Sequence, residues 1–304
     1  MITMDSAPSK DTTCAVVVTY HPDSGLPGRL ARLAEEVDRI LVVDNASGPA
    51  DLGVVKRAAA QLPLDLILNQ TNLGIATALN QGLQWAISHG YQWVLTFDQD
   101  STPMTPMLAA MREAYLGAGG HRVAVIGSLY VVASPCNEGE HGTADGAMAG
   151  TPRWQECATV ITSGSLLSTA AHTVVGPFRD EFFIDLVDLE YCLRARRKGF
   201  RVLITRDSSI RQPLGSPTEH RFLGRRIVVT NHSPLRRYYH ARNLVAVAAE
   251  YWRGEREWAA DGLRRQLRMV FWILLFERRK AAKIAHIALG VWHGMRRRFG
   301  PLYH

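Results

Sequence analysis

The sequence predicts a three-layer α/β fold with a mostly parallel sheet, because short apolar segments alternate with helical ones through its first hundred residues. Continuous runs of β-branched and other apolar residues indicate strands that are buried on both faces. The predicted strands cover residues 14–19, 39–44, 64–68 and 93–97. The predicted helices between them cover residues 26–37, 51–61 and 75–88. Strands that alternate with helices of ten to fifteen residues are typical of βαβ units.

The composition supports a packed domain and excludes several protein classes. Of the 304 residues, 47% are hydrophobic and 21% are charged, so the chain can bury a full core. The four cysteines form no C-x-x-C pair, which argues against a disulfide framework or a zinc knuckle and favours a reducing compartment. No stretch approaches the roughly 18 to 20 apolar residues that cross a bilayer, and the first residues lack a signal-peptide profile. We therefore expect a cytoplasmic protein.

The later part of the chain predicts a loop, a strand, a helix and then a long helical region. Residues 135–153 are rich in glycine, alanine and acidic residues and predict an exposed loop. Residues 158–167 are strand-like but are interrupted at residues 162–164, and residues 187–198 have helical spacing and end at Gly199. The expected regions are a disordered N-terminus at 1–11, an α/β domain at 12–230 and a basic helical region at 231–304.

The two signs of charge are separated along the chain. The net charge is +7, but 25 of the 35 basic residues and only 7 of the 28 acidic residues lie from Arg194 onward. The front part is therefore acidic and the back part is basic. An acidic front suits a cation or a cationic site, whereas a basic back suits an anionic surface.

Polar residues follow the end of each predicted strand. Ligands of open α/β sheets bind outside the carboxyl ends of the strands. The polar segments, in chain order, are Thr19-Tyr20, Asp44, residues 69–74 and Asp98-Gln99-Asp100. We therefore expect these side chains to meet in one crevice.

Asp98 and Asp100 are the candidate metal ligands. Two carboxylates one residue apart after a strand can both reach one hard cation, and Mg²⁺ or Mn²⁺ accepts oxygen ligands while keeping places for phosphate oxygens. The alternative is a solvated turn in which Ser101 and Pro103 cap the next helix. The position after the fourth strand of an acidic α/β region favours the metal.

Two further motifs leave alternatives open. Asp44 begins an Asp-Asn-Ala-Ser string, which suits either a turn or a hydrogen bond accepted from a nucleobase imide. Asn72 and Gly74 are followed by small residues and by Asn80, and together they would let a helix start approach a phosphorylated ligand. Tight packing of that helix against the sheet is the alternative.

Three carboxylates lie at the start of the helix predicted after residue 186. Acidic residues favour a first turn through the macrodipole, which is a purely structural explanation. Asp185 and Asp188 are three residues apart on one face, and the apolar segment before them would raise proton affinity in the manner of a general base. Asp185 alternatively caps the helix, and Glu190 points toward Arg194 at the four-residue spacing of an ion pair.

Taken in order, these motifs resemble the inverting family 2 glycosyltransferases of the GT-A fold. The matching strings are VVVTYH, LVVDNAS, NLGIATALNQG, TFDQDS, TSG and FIDLVDLEYCLR. Within that family the sequence is similar to bacterial rhamnosyltransferases that use dTDP-L-rhamnose, as indicated by residues 232–239 and by Arg242-Asn243. The resemblance spans roughly residues 12–252.

The resemblance implies a role for each matching residue. Asp188 matches the general base, with Asp185 and Glu190 as helpers or rivals. Thr19 and Asp44 match residues that hold the nucleobase, and Asn72 and Gly74 match the start of the nucleotide-binding helix. Asp98 matches the carboxylate that faces the nucleoside and joins Asp100 at the metal. Ser163 and Gly164 match the segment at the junction of sugar and acceptor. Tyr20, Asn80 and Gln99 are expected beside them in the nucleotide-sugar site.

One position departs from the pattern of similar enzymes. These often have a histidine before an x-Leu-Gly turn, where this chain has Gln212 followed by Pro-Leu-Gly. Glutamine can donate to phosphate but is a poor metal ligand. We therefore expect either a weaker metal affinity or a substitute ligand, His220 or His232.

The implied activity is metal-dependent, inverting sugar transfer with Mg²⁺ or Mn²⁺. The resemblance implies transfer of L-rhamnose from dTDP-L-rhamnose to a lipid-linked saccharide in the synthesis of bacterial surface polysaccharide, such as the O-antigen of lipopolysaccharide. The alternatives are another nucleotide-sugar donor, or a nucleotide-sugar-binding protein at the membrane that has lost catalysis. A nicotinamide-dependent dehydrogenase is disfavoured because no G-x-G-x-x-G follows the first strand.

The basic C-terminal region predicts contact with a membrane surface. Basic residues flank the eight apolar residues 269–276, a run too short to cross a bilayer. Tryptophan and phenylalanine between arginines suit a helix that lies in an anionic headgroup interface. Burial against the α/β domain or in a homodimer is the alternative, and nucleic acid is disfavoured because no recognised binding motif is present. We expect a peripheral protein on the inner face of the cytoplasmic membrane.

Overall fold

The first half of the chain alternates strands and helices as predicted. The computed structural model describes residues 6–104, 106–132, 152–213 and 217–302, so most of the predicted loop at 135–153, together with Gly215, lies outside the described residues. The elements of the first half are β1 (Thr13–Thr19), α1 (Leu26–Glu36), β2 (Ile40–Asp44), α2 (Pro49–Ala59), β3 (Leu64–Leu68), α3 (Gly74–Ser88) and β4 (Trp93–Asp98). Every residue of β1 and β2 is buried, as their continuous apolar runs predict.

The second half adds shorter strands and the long C-terminal helices. The strands are β5 (Thr102–Pro103), β6 (Val123–Val132), β7 (Trp154–Glu156), β8 (Ser165–Ser168), β9 (Arg201–Gln212), β10 (Thr218–Phe222) and β11 (Arg225–Val229). The helices are α4 (Met107–Gly117), α5 (Thr169–Val175), α6 (Val187–Arg197), α7 (Pro234–Tyr251), α8 (Arg256–Phe276) and α9 (Lys280–Met295). Short 3-10 helices cover Lys10–Thr12 and Asp180–Phe182. Strand structure within the predicted segment 158–167 is confined to its end, at β8.

The main sheet runs in the order β3-β2-β1-β4-β8-β6-β9-β5, and β7 pairs with β9. The first four strands are parallel to one another. β8 is antiparallel to both β4 and β6, whereas β6 is parallel to β9. β10 and β11 form a separate antiparallel hairpin. The carboxyl ends of β1 to β4 therefore lie along one edge, as the sequence predicts.

Helices cover both faces of the sheet and give the predicted three layers. Alternate residues of β1 point to opposite faces. Val16 packs in a cluster with residues of α3, α6 and α7, whereas Val17 packs in a second cluster with residues of α1, α2 and α4. The two clusters are the core of the domain.

The helical region from residue 231 contributes to this core. Leu244, Val247 and Tyr251 of α7 belong to the same buried cluster as β1 and α6. α9 lies closely along α7, since a Cβ added at Gly290 would overlap the backbone of Tyr238. α7 therefore packs on the α/β domain, and the boundary expected at residue 230 stays a prediction.

Residues 6–11 are ordered, in contrast to the expected disordered N-terminus. The Ser6 backbone N–H donates to Oε1 of Gln92 at 2.8 Å, and Trp93 Nε1 donates to the Ser6 carbonyl oxygen at 2.9 Å. Both partners lie at the start of β4. Polar contacts between distant parts of the chain hold this segment, and composition does not reveal such contacts.

The apolar run at residues 269–276 lies within α8. In the described part of the chain, no helix combines the length and the apolar character that crossing a bilayer requires.

Candidate active site

The ends of β1, β2 and β4 bring three of the predicted residues together. In the parallel register Thr19 lies beside Asp44, and Val18 lies beside Asp98. The Asn45 N–H continues the ladder to the Thr19 carbonyl oxygen at 2.8 Å. The ends of three of the four predicted strands therefore lie side by side, and the crevice itself stays a prediction.

Asp44 is fixed by hydrogen bonds at these strand ends. Its Oδ2 accepts from Thr19 Oγ1 at 2.7 Å and from Ser47 Oγ at 2.6 Å, and its Oδ1 accepts from the Ser47 N–H at 2.8 Å. The residue is only 2% exposed. Because a carboxylate offers about four acceptor sites, one remains for a ligand. The turn and the ligand-binding alternatives are thus compatible.

Asp98 and Asp100 form a half-buried pair of like charges. Burial and the neighbouring Asp100 carboxylate raise the pKa of Asp98 to about 6, and burial also raises the pKa of Asp100. Gln212 at the end of β9 donates from Nε2 to Asp98 Oδ2 at 2.8 Å and reaches Asp100 Oδ1 at 3.5 Å. The position that departs from the family pattern therefore contacts both acidic residues directly.

Two side chains fix the loop that carries these carboxylates. Gln99 accepts from the Tyr20 N–H at 2.7 Å and donates to the Tyr20 carbonyl oxygen at 3.0 Å. Ser163 Oγ accepts from the Asp98 N–H at 3.1 Å and donates to Ser101 Oγ at 2.7 Å. Gly164 follows with a positive φ of 71°, where an added Cβ would lie 2.6 Å from the Ile210 side chain. These predicted residues lie at the site and hold its loops in place.

The turn alternative for this loop is wrong in one respect, because neither Ser101 nor Pro103 caps the following helix. α4 begins at Met107, and Glu36 of α1 accepts from the N–H groups of Met107 at 3.0 Å and Leu108 at 2.9 Å. A carboxylate distant in sequence therefore caps α4.

Arg236 is the cation of this site. It lies in the first turn of α7, and its guanidinium donates to Asp185 Oδ1 at 3.2 and 3.3 Å. Burial opposes its charge, but Asp185 and, further away, Asp98 and Asp100 raise the pKa of Arg236 overall. The sequence identified Arg236 only as part of a subgroup motif. A usable signal was its position, because the macrodipole disfavours a cation in a first turn.

The segment before α6 has a strained backbone. Phe183, Asp185 and Leu186 have positive φ angles of 67°, 62° and 62°. Such conformations cost roughly 1–2 kcal/mol for each non-glycine residue and persist where the surroundings fix them. Arg242 and Asn243 of α7 donate to the backbone carbonyl groups of this segment. The motif that indicated the subgroup is therefore the support of this loop.

Asp188 lies in the first turn of α6 with both carboxylate oxygens engaged. Oδ2 accepts from the Thr162 N–H at 3.1 Å, and Oδ1 accepts from the Leu189 N–H at 2.9 Å. Burial raises the pKa of Asp188 in spite of these bonds. Asp188 and Arg236 both lie close enough to Asp98 to influence its ionisation. A basic carboxylate thus stands within electrostatic reach of the acidic pair.

The other two carboxylates of the cluster have different surroundings. Glu190 is 1% exposed and accepts from Arg194 and from the Tyr251 hydroxyl, so the predicted ion pair is present. Asp185 lies before α6 and makes no cap bond, because Leu186 is the N-cap residue. The expectations that Asp185 caps the helix or shares a helical face with Asp188 are wrong, since the strained segment turns the chain there.

The start of α3 is occupied by a contact within the protein. Asn72 Oδ1 accepts from the Gly74 N–H at 2.9 Å, and the Ile75 N–H donates to the Phe183 carbonyl oxygen at 2.8 Å. A Cβ added at Gly74 would lie 2.6 Å from that same oxygen. Of the two alternatives for these small residues, the structure favours tight packing.

Asn80 is likewise a structural residue. Its amide nitrogen donates to the Phe178 carbonyl oxygen and to Asp180 Oδ1, both at 2.8 Å, and its amide oxygen accepts from the Phe178 N–H at 2.8 Å. Both of its donors and one of its acceptor sites are therefore used by the segment before Phe182. This geometry does not support the prediction that Asn80 contacts a nucleotide sugar.

The acidic pair fits a divalent cation in charge and in hardness. Burial raises the pKa of both carboxylates, and Asp100 raises that of Asp98 further, so a cation between them would be stabilising. Among the residues that the structure describes, no three His, Cys, Asp or Glu side chains form a metal-binding group, so neither His220 nor His232 completes one. The other ligands would come from the substrate or from solvent.

The fold is that of a glycosyltransferase of the GT-A type, and sequence comparison agrees. Residues 14–161 match the family described as Glycosyl transferase family 2. The chain therefore carries a glycosyl transferase family 2 domain and is a glycosyltransferase. It is 29% identical over 238 residues to the dTDP-rhamnosyl transferase RfbF of Shigella flexneri, which covers 75% of this chain and 77% of the relative.

Solved glycosyltransferases share the fold at low sequence identity. The mannosyltransferase PcManGT of Pyrobaculum calidifontis, in complex with GDP-Man and Mn²⁺, has a TM-score of 0.56 at 15% identity, covering 97% of this chain and 89% of that one. TarS 1-349 of S. aureus in complex with UDP-GlcNAc also has a TM-score of 0.56 at 15% identity, covering 93% of this chain and 81% of that one. Against a longer TarS structure, this chain spans 44% of the length. These similarities establish the GT-A-like architecture.

Proposed function

We propose that the protein transfers L-rhamnose from dTDP-L-rhamnose to a saccharide acceptor, with inversion at the anomeric carbon. The observation that carries the proposal is the position of Asp188, a half-buried carboxylate of raised pKa, within electrostatic reach of Asp98, which Arg236 also reaches. An acceptor hydroxyl and a nucleoside diphosphate would meet at this point. The similarity to a dTDP-rhamnosyl transferase supports the choice of rhamnose as the sugar and of thymine as the nucleobase of the donor.

The reaction is a single displacement. Asp188 accepts the proton of the acceptor hydroxyl, whose oxygen attacks the anomeric carbon from the face opposite the diphosphate. The bond between that carbon and the diphosphate oxygen breaks, and its electron pair leaves with the nucleoside diphosphate. Arg236 lies near enough to stabilise the negative charge that grows on the leaving group. The hydrogen bonds to Thr162 and Leu189 hold the Asp188 carboxylate in position.

Asp98 and Asp100 are the residues that would hold Mg²⁺ or Mn²⁺, and a bound cation would neutralise charge on the diphosphate. Mn²⁺ is present in the solved relative PcManGT, which supports a divalent metal for this site. Gln212 would release its contact with Asp98 or turn its amide oxygen inward when the cation binds. Thr19 and Asp44, at the ends of β1 and β2, would hold the base.

A membrane-bound acceptor is supported by an exposed apolar surface on α8 and the β10–β11 hairpin, here called the α8–hairpin surface. Leu267, Phe271, Leu274 and Leu275 follow helical spacing on one side of α8 and are 41–70% exposed. Leu223 at the hairpin tip is 87% exposed. Exposed arginines surround them at positions 221, 225, 226, 264, 268, 278 and 279. Apolar and cationic groups in this arrangement suit an anionic lipid headgroup layer.

We therefore propose a peripheral enzyme that acts on a lipid-linked saccharide during the synthesis of surface polysaccharide. The test is a screen of nucleotide sugars with membrane lipid extracts as acceptor source, with and without Mn²⁺ or Mg²⁺. We expect dTDP-L-rhamnose to give metal-dependent release of dTDP together with a labelled lipid product. Turnover with a different nucleotide sugar and none with dTDP-L-rhamnose would contradict the proposed donor.

A further inference from the structure

A cavity of about 610 Å³ opens beside the candidate active site and extends between α7, α8 and β11. Asp185 and Leu189, which flank the proposed base in the sequence, line one end of it, whereas Asp188 itself does not. Trp258 and Trp272 line its walls along α8. Thr19, Asp44 and the acidic pair do not line it. The cavity therefore lies away from Thr19, Asp44 and the acidic pair and meets the proposed donor site at Arg236, which places it on the acceptor side.

The cavity gathers buried polar atoms that have no partner. The described residues include four buried side-chain polar atoms without a hydrogen bond, and three of them belong to side chains that line this cavity. These three are Asp185 Oδ2, Arg237 Nε and Gln266 Nε2. Buried polar groups are nearly always paired in folded proteins, so such a concentration indicates a missing ligand. The ligand must accept hydrogen bonds from Arg237 Nε and Gln266 Nε2 and donate one from a hydroxyl group to Asp185 Oδ2.

Gln266 is the least expected of the three. It lies on α8 with 8% of its surface exposed, and its Oε1 is bonded to His240 Nδ1 at 3.0 Å. A glutamine between two helices is not needed for packing, and its free amide nitrogen carries a desolvation cost. A ligand oxygen in the cavity would remove that cost.

The charge of the walls favours an anion. Both wall carboxylates, Asp185 and Glu277, are already paired with arginines. Arg265 pairs with Asp261 outside the cavity, and no carboxylate in the described part of the chain pairs with Arg268. The four arginines that line the cavity are Arg236, Arg237, Arg265 and Arg268. This excess of guanidinium groups suits phosphate, which arginine binds through two parallel hydrogen bonds.

The apolar part of the walls favours a ligand that is more than a phosphate ion. Trp258, Met269 and Trp272 present large apolar surfaces from one helix, and Leu186 and Leu189 face the active-site end. Pockets of this type, mostly apolar with a few fixed polar groups, bind organic ligands in one orientation. A sugar ring has an apolar face and a polar rim and fits both features.

We infer that this cavity binds the acceptor as a saccharide that carries a phosphate or diphosphate group. The inference rests on the proposed transferase function. The sugar lies at the end lined by Asp185 and Leu189, where a hydroxyl reaches Asp185, and Gln266 donates to a ring substituent. The phosphate lies outward, at Arg265 and Arg268. The same chemistry occurs in a lipid-linked saccharide and in a water-soluble sugar phosphate.

The test measures binding by calorimetry without donor and with EDTA, so that the proposed donor site is not involved. The probes are glucose 1-phosphate, farnesyl phosphoryl glucose and the phosphate-free n-octyl glucoside. We expect a phosphate-bearing probe to bind at least about 10-fold more tightly than octyl glucoside. We also expect Arg268→Gln and Gln266→Leu each to weaken that binding about 10-fold, the usual effect of losing one charge-assisted or buried hydrogen bond.

Arg256→Gln is the matched control, since Arg256 is an exposed arginine of the same helix that neither lines the cavity nor belongs to the α8–hairpin surface. It should bind the probes as the unmodified protein does. Tighter binding of the farnesyl probe than of glucose 1-phosphate would assign the lipid-linked source, and the reverse would assign the soluble one. Equal binding of octyl glucoside, or unchanged binding by both cavity variants, would overturn the inference. Probe binding without any dTDP release from dTDP-L-rhamnose would contradict the proposed function and leave the cavity assignment intact.

Discussion

The side-chain amide nitrogen of Asn243 lies 2.8 Å from the carbonyl oxygen of Asp185 and donates to it. The same nitrogen also reaches the carbonyl oxygens of Phe182 at 3.1 Å and Ile184 at 2.9 Å. One side chain of α7 thus holds the strained segment that leads into α6 and to Asp188. Because positive φ angles persist only where the surroundings fix them, Asn243 acts as a positioning residue for the proposed base.

Replacing Asn243 with leucine should lower turnover more than it lowers substrate binding. Leucine has a similar size but no donor, so three buried carbonyl groups lose a partner and the 182–186 segment can relax. We expect kcat to fall at least about 10-fold with a small change in the KM for the donor, since misplacing a catalytic group impairs the chemical step. Steady-state kinetics and thermal unfolding would be measured together.

Asn80→Leu is the control for that variant. Asn80 also binds backbone groups, but those of Phe178, away from the strained segment. It should lower the melting temperature while leaving kcat and the donor KM nearly unchanged. A large rise in the donor KM would instead restore Asn80 to the nucleotide-sugar site.

Asp188→Asn should abolish most transfer without unfolding the protein. Asparagine keeps a hydrogen bond from the Thr162 N–H but cannot accept the proton of an acceptor hydroxyl. We expect a fall in turnover of about 10² to 10⁴, the usual range for a general base. Donor binding and the melting temperature should stay close to those of the unmodified protein.

Glu190→Gln separates chemistry from stability within the same helix. Glu190 is buried and accepts from Arg194 and Tyr251, so glutamine would keep an acceptor but remove the charge opposite the half-buried Arg194. We expect a loss of about 1–3 kcal/mol in the free energy of unfolding, with kcat retained in the folded fraction. If Glu190→Gln or Asp185→Asn eliminated turnover while Asp188→Asn did not, the assignment of the base would be wrong.

The sequence predicted the features that depend on neighbouring residues and missed those that depend on contacts between distant ones. Local patterns were sufficient for β1 to β4, for α6 and for the Glu190–Arg194 pair, because each depends on neighbours within a few residues. The role of Arg236 was not predictable, since its partner Asp185 is 51 residues away. The strained turn was also missed, because its positive φ angles fall on Phe183, Asp185 and Leu186 rather than on glycine.

Asp100→Asn should abolish the reaction, because the site would no longer hold the divalent cation. The variant halves the charge of the acidic pair, and Asp98 alone is a poor site for Mg²⁺ or Mn²⁺. We expect activity to fall to background, and EDTA to do the same to the unmodified protein. The fold should be unaffected, because the residue lies in a loop after β4. Activity that survives both treatments would exclude the proposed metal.

The α8–hairpin surface should bind anionic vesicles. The double variant Phe271→Ser/Leu274→Ser removes two exposed apolar anchors, and burial of such side chains contributes about 1.5–3 kcal/mol each. We expect sedimentation with phosphatidylglycerol vesicles to be lost in this variant and weakened by salt in the unmodified protein. Leu116→Ser, at an equally exposed leucine of α4, should bind normally. Equal binding to neutral vesicles would remove the electrostatic part of the proposal.

The free energy of unfolding should decrease as pH falls from about 6.5 toward 4, in part because of His172. This residue of α5 is 8% exposed and packs against Phe178 and Tyr191, and burial, assisted by Arg194, lowers its pKa to about 4. The unfolded chain has the ordinary value of about 6.5, so it binds more protons than the folded protein in this interval. Stability is therefore fully present above pH 6.5 and is lost as pH falls, by about 2–3 kcal/mol at most from this residue.

Denaturant unfolding of His172→Phe from pH 7.5 to pH 4.5 should show a shallower decline than the unmodified protein. Part of the slope remains because burial also lowers the pKa of His232 to about 4. Tyr191→Phe removes the hydroxyl that lies 3.3 Å from His172 Nδ1 but keeps the titrating ring, so its slope should match that of the unmodified protein. An unchanged slope in His172→Phe would show that the buried ring does not govern the acid sensitivity.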